Sequence, residues 1–449
     1  MTEQENIYDS LKLLISERNS RAISEAISEM EAVDIAHFFE ALEDEERVFL
    51  YELMDNEVSA EMLLYVDEDL RKNFLKNFST KEIAEEIIGE IDSDDAADII
   101  AELPEHQQSE IIQHIDDEEH AQSIIDLLRY DEDVAGGLMA TELVKVNHNL
   151  SIISAVKEMR KLAEDLEEVY SIYVVDDSDK LLGTLSLKKL LTTTSSTRIA
   201  DVYNAKIRSV KDSQPAEEVA HFIQKYDLFE VPVVDALGKL VGRITVDDVM
   251  DFIKEESDKD YQMASGISKD VDSSDGIFHM TKARLPWLFI GMVGGLVGSK
   301  VLQGNQNAMH DVPALMFFVP LIAATAGNIG VQASAIIVQG LANNTLSKDT
   351  FKTLLKEVGV AAASGLILAL IILGFNLLIN RHDMVVSVTI SISLLAVIVV
   401  AAMVGTIVPI FLNKNKIDPA IATGPFITTS NDILGVLIYF SIAKIILGL

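Results

Sequence analysis

The sequence predicts a multidomain chain: an all-α superhelical N-terminal domain, an α/β domain pair, an acidic connector helix and an α-helical membrane domain of five spans. Three observations carry this. Short one-sided apolar turns recur about every 12 residues through the first 130 residues. A strand–helix–strand–strand unit is then written twice. Charge and apolarity are also segregated along the chain. Residues 281–449 hold 10 Lys/Arg and 6 Asp/Glu, which leaves 26 basic and 65 acidic groups, a net of −39, in the first 280. The mean hydropathy of +0.24 therefore averages an acidic soluble half with an apolar one.

In the first domain (1–130) the repeated turns include Ala36-His37-Phe38-Phe39, Ala60-Glu61-Met62-Leu63, Ala97-Asp98-Ile99-Ile100 and Gln122-Ser123-Ile124-Ile125. Acidic connectors such as Asp92-Ser93-Asp94-Asp95 separate them. Short helices that bury one face each stack into a solenoid, with the charge run as its solvated face. A net of −39 repels nucleic acid and anionic lipid, so cations are the partners this half implies. The absence of cysteine excludes disulfides, thiolate catalysis and Cys-type zinc sites. Met1–Ser10 lacks the basic and apolar pattern of a signal peptide, so the soluble half is expected in the cytosol.

The period then switches, and β-branched buried-strand runs appear in Ile172-Tyr173-Val174-Val175 and Val231-Pro232-Val233-Val234. Each precedes a polar turn and a second strand, Leu181–Ser186 or Leu240–Thr245, with helical stretches at 153–161 and 216–224 before them. The repeat resembles the CBS-domain pair, which implies two copies (131–200 and 201–250) packed around adenosine-type clefts. A ribose-holding cleft in that family ends its second strand with Ser/Thr-x-x-Asp. The second copy has this as Thr245-Val246-Asp247-Asp248, whereas the first reads Ser186-Leu187-Lys188-Lys189. ATP is therefore a doubtful ligand of the first copy. An acidic connector over 251–280 follows.

Five apolar stretches lie at about 285–303, 313–341, 353–379, 384–412 and 417–447, each long enough to cross a bilayer. Lys282, Arg284, Lys348, Lys352, Lys356, Lys414 and Lys416 fall on one side, and the opposite loops carry only Arg381. The positive-inside rule puts the N-terminus in the cytosol and the C-terminus outside the plasma (inner) membrane.

Asp432 lies near the centre of the fifth stretch, within Thr428-Thr429-Ser430-Asn431-Asp432. An acid at mid-bilayer costs about 2.5–3.5 kcal/mol even on the lenient insertion scale, so it faces protein or water and marks an ion path. In the second stretch, Asn328 and Gln332 at i, i+4 share a helix face, with Gly327 and Gly330 permitting close approach. Carboxylate and amide oxygens suit a hard cation that keeps part of its hydration shell, as Mg²⁺ does. Lys300 and Lys444 stand near span ends, which argues against an anion pore.

Pro320 followed by Gly327-Asn328-Ile329-Gly330-Val331-Gln332, and Asp418-Pro419-Ala420 leading to Gly424-Pro425 and Asp432, resemble the MgtE family of magnesium channels. The domain order resembles that family as well. The resemblance implies a homodimer in the lipid bilayer, with Asp432 facing the pore ion, Asp418 at the cytosolic mouth, and Mg²⁺ as both cargo and regulator. It further implies regulatory carboxylates at Glu61, Asp94 and Asp98 on the solenoid, at Glu217, Asp227 and Asp248 in the pair, and at Asp251, Glu256 and Asp260 on the connector. Asp94/Asp98 and Asp247/Asp251 are each i, i+4, so each pair repels unless a cation intervenes. By spacing alone they read as solvated faces. Gln214 and Lys259 stand where the family carries acids, which removes one implied ion site. Nine scattered histidines lack the His-Glu-x-x-His spacing and read as structural. The alternatives in view are a cation-coupled exchanger and a membrane-anchored sensor. An enzyme has no nucleophile–base pair or phosphate loop to rest on.

Overall fold

The computed structural model describes residues 3–162, 169–268, 271, 276–343, 345–346, 350–380, 383–422 and 424–449. Lys348 and Arg381 lie outside the described residues. The chain divides into two compact units, residues 1–253 and 254–449.

The first unit opens with ten helices: α1 (Glu3–Ser16), α2 (Ser20–Ile27), α3 (Ala32–Glu40), α4 (Asp44–Tyr51), α5 (Asn56–Leu64), α6 (Glu68–Leu75), α7 (Thr80–Glu86), α8 (Ser93–Ala101), α9 (Glu105–His114) and α10 (Glu118–Leu127). From α2 onward they start at 20, 32, 44, 56, 68, 80, 93, 105 and 118, which is the repeat legible in the sequence. The acidic connectors have a structural use beyond solvation. Glu43 with Glu46 and Ser79 with Glu82 form capping boxes, Asp67 and Asp117 cap α6 and α10, and Asp44, Glu45 and Glu46 fill the first turn of α4. Each supplies an acceptor or a negative charge at a positive helix end. Two arginines repeat one device. Arg47 donates to the Phe39 and Glu40 carbonyls closing α3, and Arg71 donates to those of Leu63, Leu64 and Val66 closing α5. Arg71 also pairs with Glu102.

The duplicated α/β unit follows as β1 (Val144–Asn147), α11 (Ile152–Leu162), β2 (Ile172–Val175), β3 (Leu181–Leu185) and α12 (Leu187–Thr192). It then repeats as β4 (Val210–Lys211), α13 (Ala216–Tyr226), β5 (Glu230–Val234), β6 (Leu240–Thr245) and α14 (Val246–Ala264). Each copy is a three-stranded sheet, with β1 parallel and β3 antiparallel to β2, and β4 and β6 placed likewise about β5. The cores are unequal. Val210, Val219, Val231, Val233 and Ile244 of the second copy join one apolar cluster with the solenoid, while the first copy packs around its own Val144, Val146, Ile172 and Val174.

The connector predicted over 251–280 differs in extent. Its helix is the continuation of the second copy, beginning at Val246, and it stops at Ala264 because Gly266 turns the chain with φ of +81°. The membrane unit then holds α15 (Ile277–Gly304), the short α16 (Gln306–Asp311), α17 (Ala314–Ala342), α18 (Thr350–Phe375), α19 (Met384–Lys414) and α20 (Gly424–Leu447). Among the described residues five helices are long and apolar enough to cross a membrane. The fifth stretch is not continuous helix from 417. A 3₁₀ turn, Pro419–Ala422, precedes α20, and Gly424 takes a positive φ of +53°. The α14 end packs here within the membrane unit: a Cβ on Gly424 would collide with the Ala264 carbonyl, and one on Gly266 with Pro425.

Candidate functional site

In the first unit, α8 brings its N-terminal acids against two segments distant in sequence. One ligand oxygen each from Asp92, Asp94 and Glu142 lies within 4.8 Å of the others. Ser93, fully buried, ties α8 to the strand entry: its hydroxyl donates to Glu142 Oε2 at 2.9 Å and meets Thr141 Oγ1 at 2.8 Å. Asp94 Oδ1 is buried without a hydrogen-bond partner. Burial, reinforced by Asp95, Asp248, Asp92 and Glu142, pushes the Asp94 carboxyl well above its usual range. Burial and the charge of Asp248 push Asp95 up to about 7. Asp248 is raised as well, first by burial, although its Oδ2 accepts from Thr245 N at 2.8 Å and Oγ1 at 2.6 Å. Glu142 is the exception. Burial works against its charged form, but hydrogen bonding from His120 and Ser93 outweighs burial and holds the group below the usual range. His120 is raised in return, chiefly by Glu142.

Such an arrangement binds a cation or takes up protons. Four of its acids cannot all ionise in a half-buried volume without a counter-charge, and the orphaned Asp94 oxygen is a donor in wait of a hard ion. The fit to a divalent cation is therefore good. The sequence reading placed Asp94 and Asp248 here and missed Asp92, Asp95 and Glu142. Asp92 and Asp95 sit in the connector already singled out; Glu142 gives no local signal, because it meets Ser93 across 49 residues.

The other expected ligands are dispersed. Asp98 is exposed one turn along α8, and Glu61 is half-buried on α5. Asp247 and Asp251 are exposed on α14, although Asp247 acts on Asp95 through its charge. Glu217 lies in the first turn of α13 and Asp227 caps its far end with φ of +49°. Ten residues of helix put roughly 15 Å between those two backbones, so this chain does not bring them to one ion. Asp227 also has a conformational role, since Asp tolerates the left-handed cap. Glu256 sits 3.3 Å from Lys259 Nζ, and Asp260 is half-buried on the same helix.

In the membrane unit, Asp432 is the ninth of the 24 residues of α20, about a third of the way along rather than central. Its neighbourhood is built by glycines. A Cβ on Gly327 of α17 would come 3.1 Å from Asp432 Oδ1 and 3.0 Å from Thr428 Cγ2. A Cβ on Gly330 would collide with Asn431 Nδ2, and one on Gly294 of α15 with Thr429 Cγ2. The backbones of α15 and α17 thus close on the polar face of α20. Asp432 Oδ1 and both side-chain polar atoms of Asn431 are buried without partners. Asn328 and Gln332 point elsewhere, exposed on a face of α17 other than the one Gly327 and Gly330 turn toward α20. Asp418 Oδ1 accepts from Ala420 N at 2.7 Å and so shapes the 3₁₀ turn before α20.

Five apolar helices with an acid in a glycine-built crevice, joined in one chain to a CBS pair and an acid-rich solenoid, define a multi-pass membrane protein of cation-transporter type. Family models match all three regions: the MgtE divalent cation transporter over residues 319–442, the MgtE intracellular N domain over 30–133, and the CBS domain over 133–195 and 199–255. The chain is 32% identical over 449 residues to a magnesium transporter MgtE of Thermus thermophilus, covering 99% of both, and 29% identical to one of Bacillus subtilis, covering 98% of both. Its soluble half is similar to a crystal structure of the soluble part of a magnesium transporter (TM-score 0.51, 29% identity, 57% of this chain and 100% of that one). It is likewise similar to the cytosolic domain of the Mg²⁺ channel MgtE in complex with ATP (TM-score 0.51, 33% identity, 55% and 99%). The chain belongs to the MgtE family of divalent cation transporters.

Proposed function

We propose that this chain passes Mg²⁺ into the cytosol down its electrochemical gradient, along a path that Asp432 lines, and that Mg²⁺ bound at α8 closes it. The observation that carries the transport reading is the unpartnered, buried Asp432 oxygen facing Gly327. An apolar helix retains such a group where it meets an ion or its water. Asp418 guards the cytosolic mouth, and Asn328 and Gln332, exposed in the single chain, line the path once a second copy packs alongside. The protein is a homodimer in the plasma membrane with its N-terminus in the cytosol and its C-terminus outside. The segments 1–130, 131–200, 201–250, 251–280 and 281–449 act as its functional modules.

The regulatory reading rests on the acid cluster. At low cytosolic Mg²⁺ the cluster repels and loosens; at high Mg²⁺ an ion held by Asp92, Asp94 and Glu142, with Asp95 and Asp248 beside it, draws α8 onto the pair. ATP, which the related cytosolic domain binds, has no ribose-holding acid in the first copy here, where Lys189 stands instead.

Mg²⁺ flux into liposomes containing the purified protein tests both parts. Asp432→Ala is expected to abolish flux with the protein still folded. Asp94→Asn with Asp95→Asn is expected to leave flux insensitive to millimolar internal Mg²⁺. Normal uptake by Asp432→Ala would overturn the path, and unaltered inhibition in the double variant would overturn the sensor. Flux driven by membrane potential alone, without a proton or sodium gradient, separates this reading from a coupled exchanger.

A further inference from the structure

The seam between the two α/β copies is only partly apolar. Tyr173 and Val175 of β2 meet Leu240 of β6 in a small buried cluster, and Glu230 of β5 reaches the Tyr173 hydroxyl through its charge. In the β5–β6 register Glu230 stands opposite Thr245 and Pro232 opposite Arg243, so Glu230, Arg243 and Thr245 share one face of the sheet. The Arg243 and Glu230 side chains are only 10% and 5% exposed. Arg243 Nη1 lies 3.8 Å from Glu230 Oε2, close enough for an ion pair and too far for a hydrogen bond. Arg243 Nε, Glu230 Oε1 and Tyr173 Oη are all buried without a hydrogen-bond partner.

A pair built this way adds little to stability. Desolvating two charges outweighs a loose Coulombic contact, and apolar side chains of similar size would hold the seam at least as well. The pair therefore matters for what else its charges reach. Thr245, on the same face, carries the link: its N and Oγ1 donate to Asp248 Oδ2 at 2.8 and 2.6 Å, and the charge of Asp248 acts on Asp94 and Asp95 of α8. Burial is the chief cause that raises Asp248, and the positive charge of Arg243 opposes the rise. On the solenoid side Arg71 opposes the rise of Asp95, but it is committed to three carbonyls and to Glu102. Arg243 is the more loosely held of the two.

We propose that Arg243 is a resident counter-charge of the α8 acid cluster, restrained by Glu230, and that this pair sets how much Mg²⁺ the cluster needs. The inference rests on the sensor reading of the cluster and adds the group that fixes its working range. Arg243 occupies no ligand position; it acts on the cluster through its charge on Asp248. A fixed positive charge there weakens the attraction that a divalent ion meets, and Glu230 offsets part of that.

Mg²⁺ titration of the full-length protein in detergent, read as amide exchange of α8, tests this. Glu230→Gln strips Arg243 of its partner and is expected to raise the midpoint. Arg243→Gln is expected to lower it. Each shift should be about three- to tenfold, the scale of one unit charge acting on a divalent ion through a polar interior. The double variant is expected to fall between the two. Lys239→Gln, at an exposed cation of the same copy, is expected to move the midpoint by less than about twofold. Amide protection of β2 and β5 at saturating Mg²⁺ shows which variants fold, and either single variant that folds decides the matter by its direction. Shifts of one sign in both would reduce the pair to a structural seam and overturn the proposal, as would a shift in Lys239→Gln as large as that in Arg243→Gln. A responsive wild type with unmoved variants overturns this inference alone. A wild type whose α8 exchange ignores Mg²⁺ overturns the sensor reading and this inference with it.

Discussion

Asp95 provides a quantitative handle on the acid cluster. Burial and Asp248 move its carboxyl from 3.8 to about 7. At 1.36 kcal/mol per pH unit, that shift costs the folded state about 4 kcal/mol once the group must ionise. The sign follows from proton counts. Between pH ~4 and ~7 the folded state keeps a proton that the unfolded state has released, so stability falls as pH rises through that window and levels off above it. A single Mg²⁺ site at 100 times its dissociation constant returns about 2.7 kcal/mol, which is most of the loss. Removing Mg²⁺ at pH 7.5 is therefore expected to weaken the α8 contact, removing it at pH 5 is expected to matter less, and Asp95→Asn is expected to reduce the difference, the remainder coming from Asp94 and Asp248. Amide hydrogen exchange of α8, corrected for its intrinsic pH dependence, reads this directly on the full-length protein. Equal protection at pH 5 and 7.5 without Mg²⁺, or an Asp95→Asn variant whose pH slope is undiminished, would refute the reasoning.

Two further perturbations discriminate between neighbouring positions. Gly330→Ala places a methyl against Asn431 and is expected to cost about 1–3 kcal/mol or force α20 away, whereas Gly359→Ala in α18 points into open space and is expected to gain about 0.5–1 kcal/mol; thermal unfolding of the two in detergent should move in opposite directions. Ser93→Ala removes the donor to Glu142 and is expected to cost about 1–3 kcal/mol locally and to raise the Mg²⁺ needed for protection of α8, both measurable by limited proteolysis.

The sequence made the architecture legible wherever a period was at work. Twelve-residue spacing located the solenoid helices because each must bury one face, and the strands β2, β3, β5 and β6 were visible as β-branched runs. β1 and β4 were implied by the repeat but not located; β4 is two residues long, too short to show alternation. The cluster was half legible. Carboxylates at helical spacing can be read as a face, but Glu142 reaches Ser93 only through the docking of α8 on the strand entry, which no local pattern encodes. Asp227 shows that an acid at a helix C-terminus can also serve its backbone conformation, which residue spacing does not reveal. In the membrane unit, Gly327 and Gly330 correctly announced a close approach. The residues they admit, Thr428, Asn431 and Asp432, lie a hundred positions downstream, and the adjacent amides Asn328 and Gln332 turn away from them.

The connection between solenoid and pair has two parts that a cation should affect unequally. After α10, residues 130–137 are stitched to the second copy by neutral groups: Ala135 N donates to Gln214 O at 2.7 Å, Gly136 N to Asp212 O at 2.8 Å, and Ala216 N to Asp133 O at 2.8 Å. Ala135 and Met139 also belong to the apolar cluster shared by solenoid and second copy. Neither backbone bonds nor apolar burial requires a counter-ion. The α8 contact, by contrast, also sets Asp92, Asp94 and Asp95 against Glu142 and Asp248, a charge that the proposed Mg²⁺ would offset. Loss of Mg²⁺ should therefore release α8 while the 130–137 stitch persists, so that the solenoid swings about its own C-terminal end and stays attached. Hydrogen exchange resolves the two. The amides of Ala135, Gly136 and Ala216 are expected to stay protected with and without Mg²⁺, while those of Thr141 and Thr245, bonded to Ser93 Oγ and Asp248 Oδ2, lose protection as Mg²⁺ is withdrawn. Simultaneous loss at both places would mean that the solenoid detaches as a whole and that the stitch is no pivot.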